Sequence, residues 1–246
     1  MKSINNEIEN NPLATARIAG FLYLLIIVFG ISSEVLIRGQ LIIPGDALAT
    51  VGNIMASEAL FKAGFVADSI MLLCDVVIAI LFYVLLKPVN NTLALTAAAF
   101  RLIQAAILAF SLLSYYAVQL LLHGNGISLD NNQLQSQVML LLDMHAYGYD
   151  LGLIFFALSN FILGYLLIKS NLFPSILGVG LLMSAVVYIT GSYVRFLVPE
   201  YISFIQPMYL VPVLAELSLC LWLMFKGVRV QTKRGSTDAR NQMKHA

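Results

Sequence analysis

Six times along its length the chain strings together about twenty apolar residues, enough for a helix rising about 1.5 Å per residue to cross roughly 30 Å of hydrocarbon. The runs cover approximately residues 14–37, 64–86, 93–122, 147–168, 173–197 and 208–225. A water-soluble fold has no interior large enough to hide them. Of 246 residues, 60% are hydrophobic and only 11% charged, whereas soluble domains carry about 25% charged residues. The implied fold class is all-α: a polytopic bundle of six transmembrane helices forming one membrane domain over residues 14–227. A short tail, 1–13, precedes it and a basic tail, 228–246, succeeds it.

Orientation is read from the placement of the fourteen Lys and Arg residues. With the N-terminus in the cytoplasm, Lys2, Arg17, Lys87, Lys169, Lys226, Arg229, Lys233, Arg234, Arg240 and Lys244 fall inside, and Arg38, Lys62 and Arg195 outside. This excess obeys the positive-inside rule and puts both termini in the cytoplasm. The first run reads as a retained span, because Glu7, Glu9 and Pro12 precede it, it is too long for a signal-peptide core, and no A-x-A site closes it. The basic tail reads as a topology signal and lipid-headgroup contact rather than as a nucleic-acid site. Lys87-Pro88-Val89-Asn90-Asn91 makes a tight inner turn, so spans two and three are antiparallel neighbours.

Two longer outer segments predict short interfacial helices. In residues 44–64, Asp46 is placed as an N-cap and Leu48, Val51 and Met55 recur at helical spacing. In residues 123–144, a Gly-Asn-Gly breaker is followed by Asp130 and Gln133 at N-cap and N3 spacing, then by Leu134, Val138 and Leu141.

The chemistry in this sequence lies in charges inside apolar runs. Asp75 is 11 residues before Leu86, roughly 16 Å from the inner end, and Arg101 is 8 residues past Leu93, roughly 12 Å. Both sit near the bilayer centre on adjacent helices, and a charge there costs about 2.5–3.5 kcal/mol unless paired or wetted. An Asp75–Arg101 ion pair is therefore expected. Glu216 in the last span reaches the same level. Two carboxylates then share one guanidinium, and the surplus calls for a proton on one acid or a bound cation. On span three, Arg101, Gln104, Ser111, Tyr115 and Gln119 share one face with Ala94 and Ala97. Asp75, Arg101, Gln104 and Glu216 are the substrate- or ion-binding candidates. Glu34, Asp68, His145, Asp150 and Arg195, near the outer ends, are candidates for a vestibule above them.

Several chemistries have no motif here. There is no P-loop, no Gly-x-Ser-x-Gly elbow and no His-Glu-x-x-His pair. One histidine near Asp143 and Asp150 is too sparse for a metal site, no cofactor is called for, and Cys74 and Cys220 read as small buried hydrophobes. Gly148 and Gly152 form a small-xxx-small pair suited to helix packing. Three functions stay open. One is a transporter or binder of a small polar or ionic solute at the midplane cluster. Another is a membrane-embedded enzyme acting on a lipid-like substrate through Asp68, His145 and Asp150. The third is a structural or sensory protein whose polar residues only fix packing. The lipid bilayer is the expected surrounding in each case, and the oligomeric state is left open.

Three stretches carry a resemblance. Residues 74–104, CDVVIAILFYVLLKPVNNTLALTAAAFRLIQ, residues 145–170, HAYGYDLGLIFFALSNFILGYLLIKS, and residues 215–228, AELSLCLWLMFKGV, resemble a bacterial membrane-protein family known as domain of unknown function 4386. The likeness spans roughly residues 14–228. It implies a multi-pass protein of a bacterial inner membrane, and it brings neither an activity nor functional residues.

Overall fold

The structure is a computed structural model describing residues 11–124 and 130–228. Most of both tails and the segment between Gly124 and Asp130 lie outside the described residues, as do the lysines and arginines expected at 2, 229, 233, 234, 240 and 244. Among the described residues there is no strand. Helix α1 (Pro12–Ile31) continues through a π-helical segment, Ser32–Arg38, and a last turn, Gly39–Leu41. Next come α2 (Ala47–Ala56), α3 (Glu58–Leu86), α4 (Asn91–His123), α5 (Asn131–Lys169), α6 (Ser175–Leu197) and α7 (Leu210–Phe225). Six units are long and apolar enough to cross a membrane: α1 with its continuation to Leu41, α3, α4, α5, α6, and α7 together with the turns that lead into it from Pro199.

Local signals fix where the helices start. Asn11 caps α1 through a bond from the Ala14 amide (3.1 Å), with Pro12 in the first position where its missing N–H costs nothing. Asn90 caps α4 by accepting from Leu93 N (2.9 Å), directly after the Pro88 turn. Asp46 caps α2 by accepting from Ala49 N (2.9 Å), so the first expected outer helix is present. It lays Thr50, Val51 and Ile54 against the bundle.

The second outer segment differs from expectation. Asp130 does cap a helix, accepting from Gln133 N (2.7 Å), but that helix is α5 itself, which runs unbroken for 39 residues to Lys169. No Gly or Pro lies between Asn131 and Tyr147 to end it, so it continues past the apolar zone with polar residues on its surface. Hydropathy marks the thickness of the bilayer, and the helix ends where the backbone is interrupted. For the same reason α3 begins at Glu58, earlier than its apolar run. The approach to α7 is interrupted: Pro199 and Pro207 divide it into short turns, Pro199–Tyr201, Ile202–Ile205 and Gln206–Tyr209.

The spans close into a ring in which α1 packs on α3, α3 on α4, α4 on α5, α5 on α6, α6 on α7 and α7 back on α1. Close approaches are built on glycine. At Gly20 a methyl group would stand 2.7 Å from the Met224 backbone nitrogen, and at Gly148 it would stand 2.7 Å from Ser111 Cβ. Gly148 and Gly152 thus serve the α4–α5 seam inside the chain. One end of the ring, the basic end, carries Arg17, Lys87, Lys169 and Lys226; the opposite end is the far end.

Two apolar clusters fill the interior. One, toward the basic end, gathers Ala16, Tyr23, Ile78, Ala94, Leu163 and Leu219. The other, toward the far end, gathers Ile37, Phe61, Leu72, Ala105, Tyr115 and Leu142. Asp75 falls between Leu72 and Ile78, and Arg101 between Ala94 and Ala105. The mid-height charges therefore form a polar layer sandwiched between two hydrophobic blocks.

Candidate functional site

The tight α3–α4 turn sets the register that brings Asp75 against Arg101. One carboxylate oxygen, Oδ1, accepts a hydrogen bond from Nε (2.7 Å) and stands in ion-pair contact with Nη2 (2.6 Å) of the guanidinium. Arg101 is 1% exposed, and its charge is further held by aromatic rings: Phe156 at 4.9 Å, Tyr23 at 5.4 Å and Phe82 at 6.0 Å from centroid to Cζ. Neither Nη1 nor Nη2 has a hydrogen-bond acceptor among the described residues. On the basic-end side of the guanidinium, Ala94, Ala97, Ala98 and Ser159 help to enclose a void of about 10 Å³, room for one water.

Glu216 lies in the same layer but outside that pair. Its Oε1 accepts from the Tyr188 hydroxyl (2.9 Å) and from Asn160 Nδ2 (3.2 Å). Tyr23 and Arg101 are both within electrostatic reach. Asn160 Oδ1, Gln104 Oε1 and the Tyr23 hydroxyl are buried without a hydrogen-bond partner. The expected face of α4 is buried as a unit, from Ala94 and Ala97 through Arg101, Gln104, Ser111, Tyr115 and Gln119.

The far-end candidates converge in two linked groups. Asp68 Oδ2 accepts from Arg38 Nη1 (2.6 Å), whose Nε donates to Glu34 Oε2 (2.8 Å) while Nη1 also reaches Ser33 Oγ (2.9 Å). Glu34, Ser33 and Arg38 all stand on the π segment. Its wider turn puts the Gly39 amide on Glu34 O rather than on the residue four back. In the second group Asp150 is ion-paired with Arg195 across α5 and α6. Glu34 lies close enough to act electrostatically on both His145 and Asp150. Tyr149 stands within electrostatic reach of Asp68, Arg38, Glu34 and Asp75, joining the far-end groups to the mid-height layer.

His145 sits between these groups without bonding to either acid. Its Nδ1 meets Ser111 Oγ (3.1 Å) and Ser111 O (3.2 Å), its ring packs 5.2 Å from Tyr115, and Nε2 has no partner. Asp68 and Asp150 are each committed to an arginine. No acid–base pair of the kind an Asp68, His145, Asp150 enzyme needs is joined by a hydrogen bond.

Reading the sequence alone missed Arg38, Ser33, Tyr149, Tyr23 and Asn160 as members of the polar interior. Asn160 did leave a signal, being a lone amide in the apolar run of the fourth span. Tyr188 shares a helical face with Ser184, Gly191 and Arg195. Arg38 lies just past the end of its apolar run, so hydropathy alone places it among the lipid headgroups.

Over residues 18–227 the sequence matches the family described as Domain of unknown function (DUF4386). The chain belongs to this family. It is also 25% identical, over 160 residues, to an uncharacterized protein of Archaeoglobus fulgidus; the match covers 64% of this chain and 80% of that one. This member of the family therefore has an archaeal relative. No solved structure matches the chain.

Proposed function

We propose that this protein of the DUF4386 family is a multi-pass protein of the cytoplasmic membrane that binds or carries a small polar or ionic solute. The basic end and both termini face the cytoplasm. One observation carries the reading. Polar side chains from all six spans are gathered inside a ring, and several of their atoms, Arg101 Nη1, Gln104 Oε1, Asp68 Oδ1 and His145 Nε2, are buried with no protein partner. Each such atom costs about 1–3 kcal/mol. A purely structural network would be selected to satisfy them, whereas a site for an exchanging solute has reason to hold them in reserve.

Entry from the far end is supported by exposure. The Glu34 side chain is 67% exposed although it bonds to the buried Arg38, and Arg195 is 39% exposed beside a buried Asp150. Toward the basic end, Gly20 against Leu223 and Met224 and Gly164 against Gly178 close the ring with backbone-to-backbone packing. Asp75, Arg101 and Glu216 are the ionisable groups of the mid-height layer, and Gln104 is a buried neutral side chain three residues past Arg101 on α4.

The test is a panel of amino acids, carboxylates, amines and inorganic ions, scored by thermal shift in detergent and by uptake into proteoliposomes. At least one solute raises the melting temperature of the wild type, and Gln104→Leu, which leaves no orphaned charge, abolishes that response without changing the melt in its absence. A panel with no response, or wild-type uptake by an Asp75→Leu, Arg101→Met double variant, overturns the assignment.

A further inference from the structure

The sequence leaves two acids sharing one arginine, and the structure separates them. Arg101 is ion-paired with Asp75, whose Oδ1 accepts a hydrogen bond from Nε and lies in charge contact with Nη2. Glu216 is left with two neutral donors, Tyr188 and Asn160, both on Oε1. With Asp75 and Glu216 both ionised, these three side chains would hold one uncompensated negative charge. It would lie between two hydrophobic blocks, where unpaired charge is most costly.

The hydrogen-bond inventory around Glu216 points to how that charge is removed. Asn160 is fully buried, donates through Nδ2, and has no donor for its Oδ1; the Tyr23 hydroxyl, also fully buried, is itself a donor within reach of Glu216 whatever the charge on that carboxyl. Reversing the amide of Asn160 does not help, because it sets Oδ1 against the carboxyl oxygen, again without a hydrogen between them. In that reversed orientation the contact lacks a hydrogen that the carboxyl group itself can supply. An ionised carboxylate has none, and a protonated one has a single O–H.

We infer that Glu216 is a proton-binding site: in this conformation it is a neutral carboxylic acid whose O–H is shared with Asn160 or Tyr23. The ligand is a proton, and the groups that surround it are Tyr23 from α1, Asp75 from α3, Arg101 from α4, Asn160 from α5 and Tyr188 from α6, with Cys220 one turn along α7. Losing the proton leaves the layer with its uncompensated charge, so deprotonation must be accompanied by a rearrangement that brings Glu216 toward Arg101 or toward water. That links proton binding to the conformation of the polar layer. The inference does not depend on any solute.

The experiment is infrared spectroscopy of the full chain reconstituted in lipid, with no added solute. At pH 7 the wild type shows a protonated-carboxyl C=O band. Glu216→Gln removes the band, and Tyr188→Phe, which takes one hydrogen bond from the C=O, moves it to higher frequency. Absence of the band in the wild type at pH 7 overturns the proposal. So does a band that both variants leave unchanged. Should Glu216→Gln fail to fold, the Tyr188→Phe shift decides. A failed solute screen leaves this result standing, and a missing band leaves the solute reading standing.

Discussion

At the level of single residues, Arg101 shows how a charge is kept in an apolar interior. One carboxylate oxygen bonds to its Nε and pairs with its charge, and three rings face its cation. Removing one member orphans the other, so Asp75→Leu is expected to cost about 3–5 kcal/mol, whereas Asp75→Leu with Arg101→Met recovers most of that loss. Unfolding of the three proteins in detergent checks it, and equal loss in the single and double variants would contradict it. This pair was legible in the sequence because depth is a count of residues from a tight turn. The position of Glu216 beside the pair rather than within it was not, because depth says nothing about which way a side chain points around its helix. The unpaired atoms of Asn160 and Tyr23 became visible only with coordinates.

Among the elements, the π segment does the most to shape the far end. Deleting Val35, an exposed residue in its middle, rotates the remainder of the segment by about 100° and takes Arg38 off Asp68. The deletion should lower stability about as much as Arg38→Met does, read from the same detergent melts; a deletion that melts like wild type would show that the wide turn has no such role. Arithmetic at 3.6 residues per turn cannot foresee this register, which is why Arg38 escaped notice while Asp46 and Asp130, whose capping role is local, were legible. Glycines offer a paired prediction. Gly178 lies against the backbone of Gly164, so Gly178→Ala should cost about 1–3 kcal/mol. Gly52, in α2 with open space around it, should gain about 0.5–1 kcal/mol as alanine. Opposite shifts in melting temperature are the outcome to look for.

For the whole molecule, the apolar runs made six spans legible from length and hydropathy alone, but the lengths of the helices were not, since α5 extends about 58 Å at the usual rise and so stands well beyond a bilayer. The proposed orientation predicts that a cysteine at the exposed Asn132 reacts with a membrane-impermeant maleimide in intact cells. One at the exposed Asn171 should react only after permeabilisation, and the reverse pattern would invert the topology. The Lys87–Asn90 turn also bears on how the protein is made. A helix bearing Arg101 on its own is a poor candidate for release from the insertion machinery into lipid, and α3 bearing Asp75 on its own is scarcely better. Joined by so few residues, the two can leave as a hairpin with the Asp75 and Arg101 charges already paired, so the unit that the cell inserts at this point is a pair of helices rather than one.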